Sequence, residues 1–144
     1  MKDKTPNKLE CCLFFTANSL ARVISKMGEE EFSNVGMTPS YAFLLTLAIE
    51  NPGISQKELA GYLHMAPSTV SRFVDALIRK GLITKETEGR NTYIFPTDQG
   101  ILREPQIQKA WLGLYERYSK ILGKDYGDKL AELTAQASKK LSQE

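Results

Sequence analysis

Apolar and small residues recur at Leu9, Cys12, Leu13, Thr16, Leu20, Val23, Ile24 and Met27. Steps of three and four predict a helix with one core-facing stripe. The segment GEEEFSNVG breaks that pattern. Thr38 followed by Pro39 then reads as an N-cap with proline at the first helical position. The helix behind them, YAFLLTLAI, is apolar on nearly every side and too short to span a membrane, which predicts the buried centre of the fold. Asn51-Pro52-Gly53 stops it.

Ser55-Gln56-Lys57-Glu58 fits a capping box, with serine at the cap and glutamate three residues on. A short helix to about His64 should follow, with Leu59 and Leu63 on one face. Pro67 suits the start of the next helix, whose core stripe is Val70, Phe73, Val74 and Leu77. Gly81 ends it as a left-handed residue would. The period then changes. LITKE and TYIFPT are strand-like runs separated by Thr87-Glu88-Gly89-Arg90-Asn91, which predicts a β-hairpin. Helical spacing returns after Thr97, through Ile107, Ala110, Trp111, Leu114, Tyr118, Ile121 and Leu122. Pro105 should start a new segment or kink a longer one. Gly123 separates this stretch from a last amphipathic helix carrying Leu130, Leu133, Ala137 and Leu141.

Composition narrows the function classes. The chain has 144 residues, 42% of them apolar and 25% charged, as expected of one folded domain with or without an oligomerisation element. A net charge of +2 does not announce a nucleic-acid partner by itself. Residues 54–97 hold Lys57, Arg72, Arg79, Lys80, Lys85 and Arg90 against Glu58, Asp75, Glu86 and Glu88, again a net of +2. A functional surface must therefore be argued from geometry. MKDKTPNKLE lacks the apolar core of a secretory signal, and no apolar run is long enough to cross a membrane, so a cytoplasmic location with no membrane partner is expected. Cys11 and Cys12 are adjacent and unsuited to a structural bridge with each other. With His64 as its one histidine, the chain offers no metal site, no cofactor site and no nucleophile-base set. An enzyme is not expected. His64 is expected to pack at the turn between the two short helices.

The order helix, tight turn, helix, hairpin, inside a shell of longer helices, is that of a winged helix-turn-helix. The fold class expected is mainly α with a small β-hairpin. The second helix of such a unit fits the major groove of DNA, and its first residues meet base edges. Beside the core stripe of the 67–80 helix, Ser68, Ser71, Arg72, Asp75 and Arg79 face solvent. Small hydroxyl residues allow close approach at the entering end. An arginine one turn in can bond a guanine edge twice or pin a phosphate. For the hydroxyls alone, helix capping is an equally good reading.

SQKELAGYLHMAPSTVSRFVDALIRKGLITKE, followed by a hairpin and PTDQG, resembles the MarR family of bacterial transcription regulators. The resemblance is densest over residues 38–100. It implies a homodimer whose outer helices intertwine, with an N-terminal dimerisation helix in 1–37, a winged helix-turn-helix DNA-binding domain in 38–100 and C-terminal dimerisation helices in 101–144. It implies a repressor on a pseudo-palindromic stretch of double-stranded DNA, released by a small-molecule effector. Ser68, Thr69, Ser71 and Arg72 fall where the family reads the major groove. Arg90 falls where family wings place an arginine in the minor groove, whose narrow stretches attract such a side chain. The hairpin here is shorter than usual, with Glu88-Gly89-Arg90-Asn91 at its turn, so a wing of reduced reach is expected.

Two other functions fit parts of the sequence. A winged-helix module that docks protein would explain the modest charge and short wing. A thiol-based redox sensor would use Cys11 or Cys12, although the cysteine of hydroperoxide-sensing members aligns with Phe14. Burial as small apolar residues is the simpler expectation for both thiols. Phe14, Phe15, Tyr41, Phe43, Trp111, Tyr115 and Tyr118 are expected in the core or a dimer interface. The resemblance also implies a pocket for a phenolic or other apolar anion, which the sequence does not place.

Overall fold

The computed structural model describes residues 8–143. The first seven residues, which include most of the stretch read for a secretory signal, and Glu144 lie outside the described residues. After a helical turn at 8–10, the chain forms α1 (Leu13–Glu31), α2 (Pro39–Glu50), β1 (Ile54–Ser55), α3 (Gln56–Leu63) and α4 (Pro67–Arg79). There follow β2 (Ile83–Glu88), β3 (Asn91–Pro96), α5 (Asp98–Leu102), α6 (Glu104–Leu122) and α7 (Lys124–Ser142).

The core gathers under α2, α3, α4 and the sheet. Leu44, Leu45, Leu59, Val70, Val74, Leu77 and Ile94 are completely buried. Each such aliphatic side chain contributes about 1.5–3 kcal/mol over leaving it in water. Phe73, the remaining member of the α4 stripe, is half-buried and meets Tyr41 edge-on with ring centroids 4.6 Å apart. Local chemistry sets the ends of these helices. Thr38 Oγ1 accepts from the Tyr41 N–H at 3.4 Å. The capping box at α3 is complete: Ser55 Oγ accepts from Glu58 N–H (3.0 Å) while Ser55 N–H donates to Glu58 Oε1 (3.1 Å).

Tertiary contacts move two boundaries. The first long helix starts at Leu13, not Leu9, because Cys12 is extended (φ −98°, ψ 116°) and its carbonyl accepts both the N–H and the hydroxyl of Thr16. It also runs on through GEEE to Glu31, where a break was expected. Gly28 is buried there beside Pro39 and Leu114, and Arg117 of α6 reaches Glu30 (2.8 Å) and Glu31 (3.3 Å). Its hydrogen bond to Glu30 holds the Arg117 guanidinium above its ordinary pKa. Those contacts outweigh the weak helical propensity of a glycine.

The sheet has three strands, in the order β1-β3-β2, where a two-stranded hairpin was expected. β1 is only two residues long, wedged between a turn and the Ser55 cap, and pairs Ile54 with Ile94 and Ser55 with Tyr93. β2 and β3 pair antiparallel from Ile83↔Pro96 out to Glu88↔Asn91. The turn is thus Gly89-Arg90 alone, not the five residues from Thr87 to Asn91. Gly89 has φ +62° and Arg90 does not share it, the pattern of a II′ hairpin turn, whose twist matches the strands it joins. The two strands, six residues each and about 17–20 Å long, thus run closer to the tip than the runs LITKE and TYIFPT suggest. Every β2 residue after Ile83 is exposed, and Lys85, Glu86 and Glu88 charge this edge against pairing with another strand.

Pro105 starts α6, and Gly123 (φ +92°) joins α6 to α7. The Tyr115 hydroxyl donates to Asp128 (2.8 Å) and Lys124 pairs with the same carboxylate (3.0 Å), holding Asp128 below the usual carboxylate range. Among the described residues no helix is long and apolar enough to cross a membrane. One expectation fails within a single chain. The stripe of α1 is largely uncovered, with Leu13, Leu20 and Val23 exposed at 64%, 39% and 56%, and the last turn of α6 leaves Ile121 in solvent.

The PTDQG stretch closes the base of the wing. Thr97 Oγ1 donates to the Gly81 carbonyl (2.7 Å) and accepts from the Gly100 N–H (3.0 Å), while Thr97 N–H donates to the Leu82 carbonyl (3.1 Å). A Cβ on Gly100 would run into that Leu82 carbonyl and crowd Leu45. Gly100→Ala should therefore destabilise the fold by about 1–3 kcal/mol in urea unfolding. Gly61→Ala, in open space on α3, should stabilise it by about 0.5–1 kcal/mol.

Candidate nucleic-acid interface

The interface is built around the turn between α3 and α4. His64 closes α3 in the left-handed conformation (φ 55°, ψ 44°), where glycine is the usual residue. It lies at the turn as expected but is exposed there, not packed. Met65 N–H reaches back to the Ala60 carbonyl (3.1 Å), which completes the reversal. Ala66 then occupies the cap position of α4, followed by Pro67.

That placement decides the capping question. Ala66 has no side-chain oxygen and makes no side-chain cap bond, so Ser68 and Thr69 lie inside the first turn and do not cap it. Ser68 and Arg72 are exposed, and Thr69 and Ser71 are half-exposed. Arg72 Nη2 donates to Thr69 Oγ1 at 3.4 Å, so the guanidinium lies back along the helix toward its entering end. The four residues share one surface. Pro67 has no N–H and the Thr69 N–H already donates to the Ala66 carbonyl (3.0 Å), so what this helix start offers a phosphate is chiefly its partial positive charge.

Arg90 is not part of that cluster. It lies at the tip of the wing, exposed, at the far end of the β2–β3 ladder. The wing is tied to α4 by a contact the sequence gave little reason to expect, Lys85 Nζ to Asp75 Oδ1 at 3.5 Å. Both groups are about half exposed, so the pair orients the wing more than it stabilises the fold. Alternating polar residues on β2 carry no signal that would have singled Lys85 out.

Cys11 and Cys12 are both exposed, contrary to the burial expected, because the chain breaks from helix at Cys12 and turns neither thiol toward a core. Among the described residues no group of three potential ligands could hold a metal ion. A groove between α2, α3 and α6 is lined by Phe43, Thr46, Tyr62, His64 and Trp111 among others, with a volume of about 510 Å³. Phe43 stacks on Trp111 with centroids 4.1 Å apart, and Trp111 meets the buried Phe32 edge-on.

Residues 37–91, which hold α2 to the wing turn, match the MarR family model. That central segment makes the chain similar to the MarR family of winged helix-turn-helix transcriptional regulators. It is 31% identical over 93 residues to the uncharacterized HTH-type transcriptional regulator YybA of Bacillus subtilis (strain 168). That match spans 62% of this chain and 62% of YybA. The fold is similar to that of the transcriptional repressor CouR bound to a 23-mer DNA duplex, with TM-score 0.84, 22% identity, and coverage of 96% of this chain and 99% of that one. CouR bound to p-coumaroyl-CoA is similar at TM-score 0.83 and 23% identity, over 91% of this chain and 94% of that one. The PcaV transcriptional regulator from Streptomyces coelicolor, in complex with its natural ligand, is similar at TM-score 0.81 and 20% identity, over 91% and 94% of the two chains. The fold class read from the order of elements is borne out, and the resemblance carried by PSTVSRFVDALIRKGLI is matched over residues 37–91.

The left-handed His64 makes the turn testable. A β-branched residue there should cost about 1–2 kcal/mol more than histidine, because its second γ carbon crowds the backbone that an unbranched Cβ clears. His64→Val should lower the denaturation midpoint accordingly, while His64→Asn, which tolerates this conformation, should leave it close to unchanged.

Proposed function

We propose that this protein is a homodimeric repressor of the MarR family that binds a pseudo-palindromic operator and is released by a small molecule. The observation that carries the reading is the uncapped, exposed start of α4, where Ser68, Thr69, Ser71 and Arg72 form one surface on a fold like that of CouR on its DNA duplex. In this reading the three hydroxyl residues approach base edges and phosphates in the major groove. Arg72 bonds a guanine edge. Arg90, at the tip of the wing, enters the minor groove of a flanking segment.

Dimerisation uses the helices outside residues 38–100. The uncovered Leu13, Phe14 and Val23 of α1 and the exposed Leu133 and Leu141 of α7 support a second copy of the chain as their cover. A cleft between Leu20, Ile24, Tyr118, Leu122 and Leu130 joins the two faces, and an apolar helix from the partner fits it. The groove at Trp111 is the effector site in this reading. It touches α3 and the His64 turn, so an occupant there contacts the DNA-binding unit directly.

Selection of bound DNA from a random pool tests the whole reading. A palindrome with half-sites about 10 base pairs apart is expected, and recovery without symmetry or sequence would overturn it. Against the selected operator, Arg72→Ala should cost about 1–3 kcal/mol and relax preference at one base step. Weakening that is equal on scrambled DNA, with a shallower salt slope, would reassign Arg72 to phosphate. Arg90→Ala should weaken binding most where the flank is rich in A·T pairs.

The dimer has its own measurement. Val23→Asp places a charge on the uncovered stripe of α1 and should shift the protein to monomer in sedimentation, with operator binding lost alongside. A wild-type chain that sediments as a monomer at micromolar concentration would remove the dimer from the account.

A further inference from the structure

The groove between α2, α3 and α6 has a charge pattern opposite to the one the family resemblance implied. Its lining includes one carboxylate, Glu50, and neither lysine nor arginine. Glu50 is the last residue of α2, where the partial negative charge of the helix end adds to its own. It makes no ion pair among the described residues. The aromatic faces of Phe43, Tyr62 and Trp111 stand on the same walls, and Phe43 and Trp111 are already stacked at 4.1 Å. Thr46 lines the groove too, and its Oγ1 is buried without a hydrogen-bond partner.

An anion in this groove would meet a carboxylate and a negative helix end. A cation would meet both favourably and would also be attracted to the aromatic faces. A volume of about 510 Å³ suits a molecule of drug-like size. We infer that the groove takes a small organic cation, an apolar or aromatic body carrying a protonated amine. The inference deepens the effector reading above and rests on it for its regulatory meaning.

Three probes of one shape and different charge test it on the full chain: phenylbutylammonium, phenylpentanoate and phenylbutanol. Calorimetry gives the affinities. Trp111, the one tryptophan of the chain, reports by its fluorescence whether the groove is the place of binding. The cation should bind at least about tenfold more tightly than the anion. Glu50→Gln should weaken the cation by about tenfold and leave the alcohol unchanged. The substitution removes a charge disfavoured at a helix end, so the unfolding midpoint should not fall.

Tighter binding of the anion, cation binding that Glu50→Gln does not change, or no response of Trp111 to any probe would each overturn the inference. Labelled operator DNA separates this from the effector reading. A cation that fills the groove with the expected Glu50 dependence and leaves the DNA bound supports the ligand class and refutes the effector role. A groove ligand that releases DNA with no dependence on Glu50 does the reverse.

Discussion

One threonine hydroxyl holds three parts of the molecule at a single point. Thr97 Oγ1 donates to the carbonyl of Gly81, which ends the α4 region, and accepts from Gly100 at the start of α5. Its own N–H bonds Leu82, at the root of the wing. Hydrogen bonds of this kind contribute about 1 kcal/mol each, so their energy is not the main point. Their geometry is. Because Gly100 must lie against the Leu82 backbone for the bonds to form, the helix that meets DNA, the wing and the long outer helices share one fixed origin. A displacement of α5 and α6 cannot occur without moving the base of the wing.

The DNA-facing half of the chain was legible because its information is local. The Thr38 and Ser55 caps, Pro67 and the period of Val70, Val74 and Leu77 act within one or two turns, and each is found as read. What escaped depends on distant partners. β1 is two residues long and exists only because β3 passes beside it. The run through Gly28 to Glu31 stays helical because Pro39, Leu114 and Arg117 pack or bond there. The hairpin turn was read too long because Thr87, Glu88 and Asn91 look like turn residues, yet each has a rung to fill opposite β3 or β2. The site followed the same division. The order of helix, turn, helix and hairpin marked out Ser68 to Arg72, whereas the Asp75–Lys85 tie needed the folded distance.

The uncovered stripe of α1 looks like a failure of the same kind but has another origin. Its period was read correctly, and its residues are apolar at the expected spacing. What one chain lacks is a surface to bury them on. Apolar patterning tells which face seeks cover, and it is silent on whether the cover comes from the same chain. α1 therefore reads as a core helix in sequence and stands in the fold with that apolar face uncovered.

The groove at Trp111 brings these strands of argument together. A ligand changes DNA affinity only if it contacts the two states of the protein differently. The groove meets that condition by composition. Phe43, Thr46 and Glu50 belong to α2 and Trp111 to α6, which are held by the core and by Phe32. Tyr62 and His64 belong to the end of α3 and the turn that aims α4. One wall is thus anchored to the body of the molecule and the other to the element that approaches DNA. An occupant would bridge α2 and the end of α3, and the residue that ends α3 in the left-handed conformation is His64. The strained position that shapes the turn is also the position where the groove can act on it.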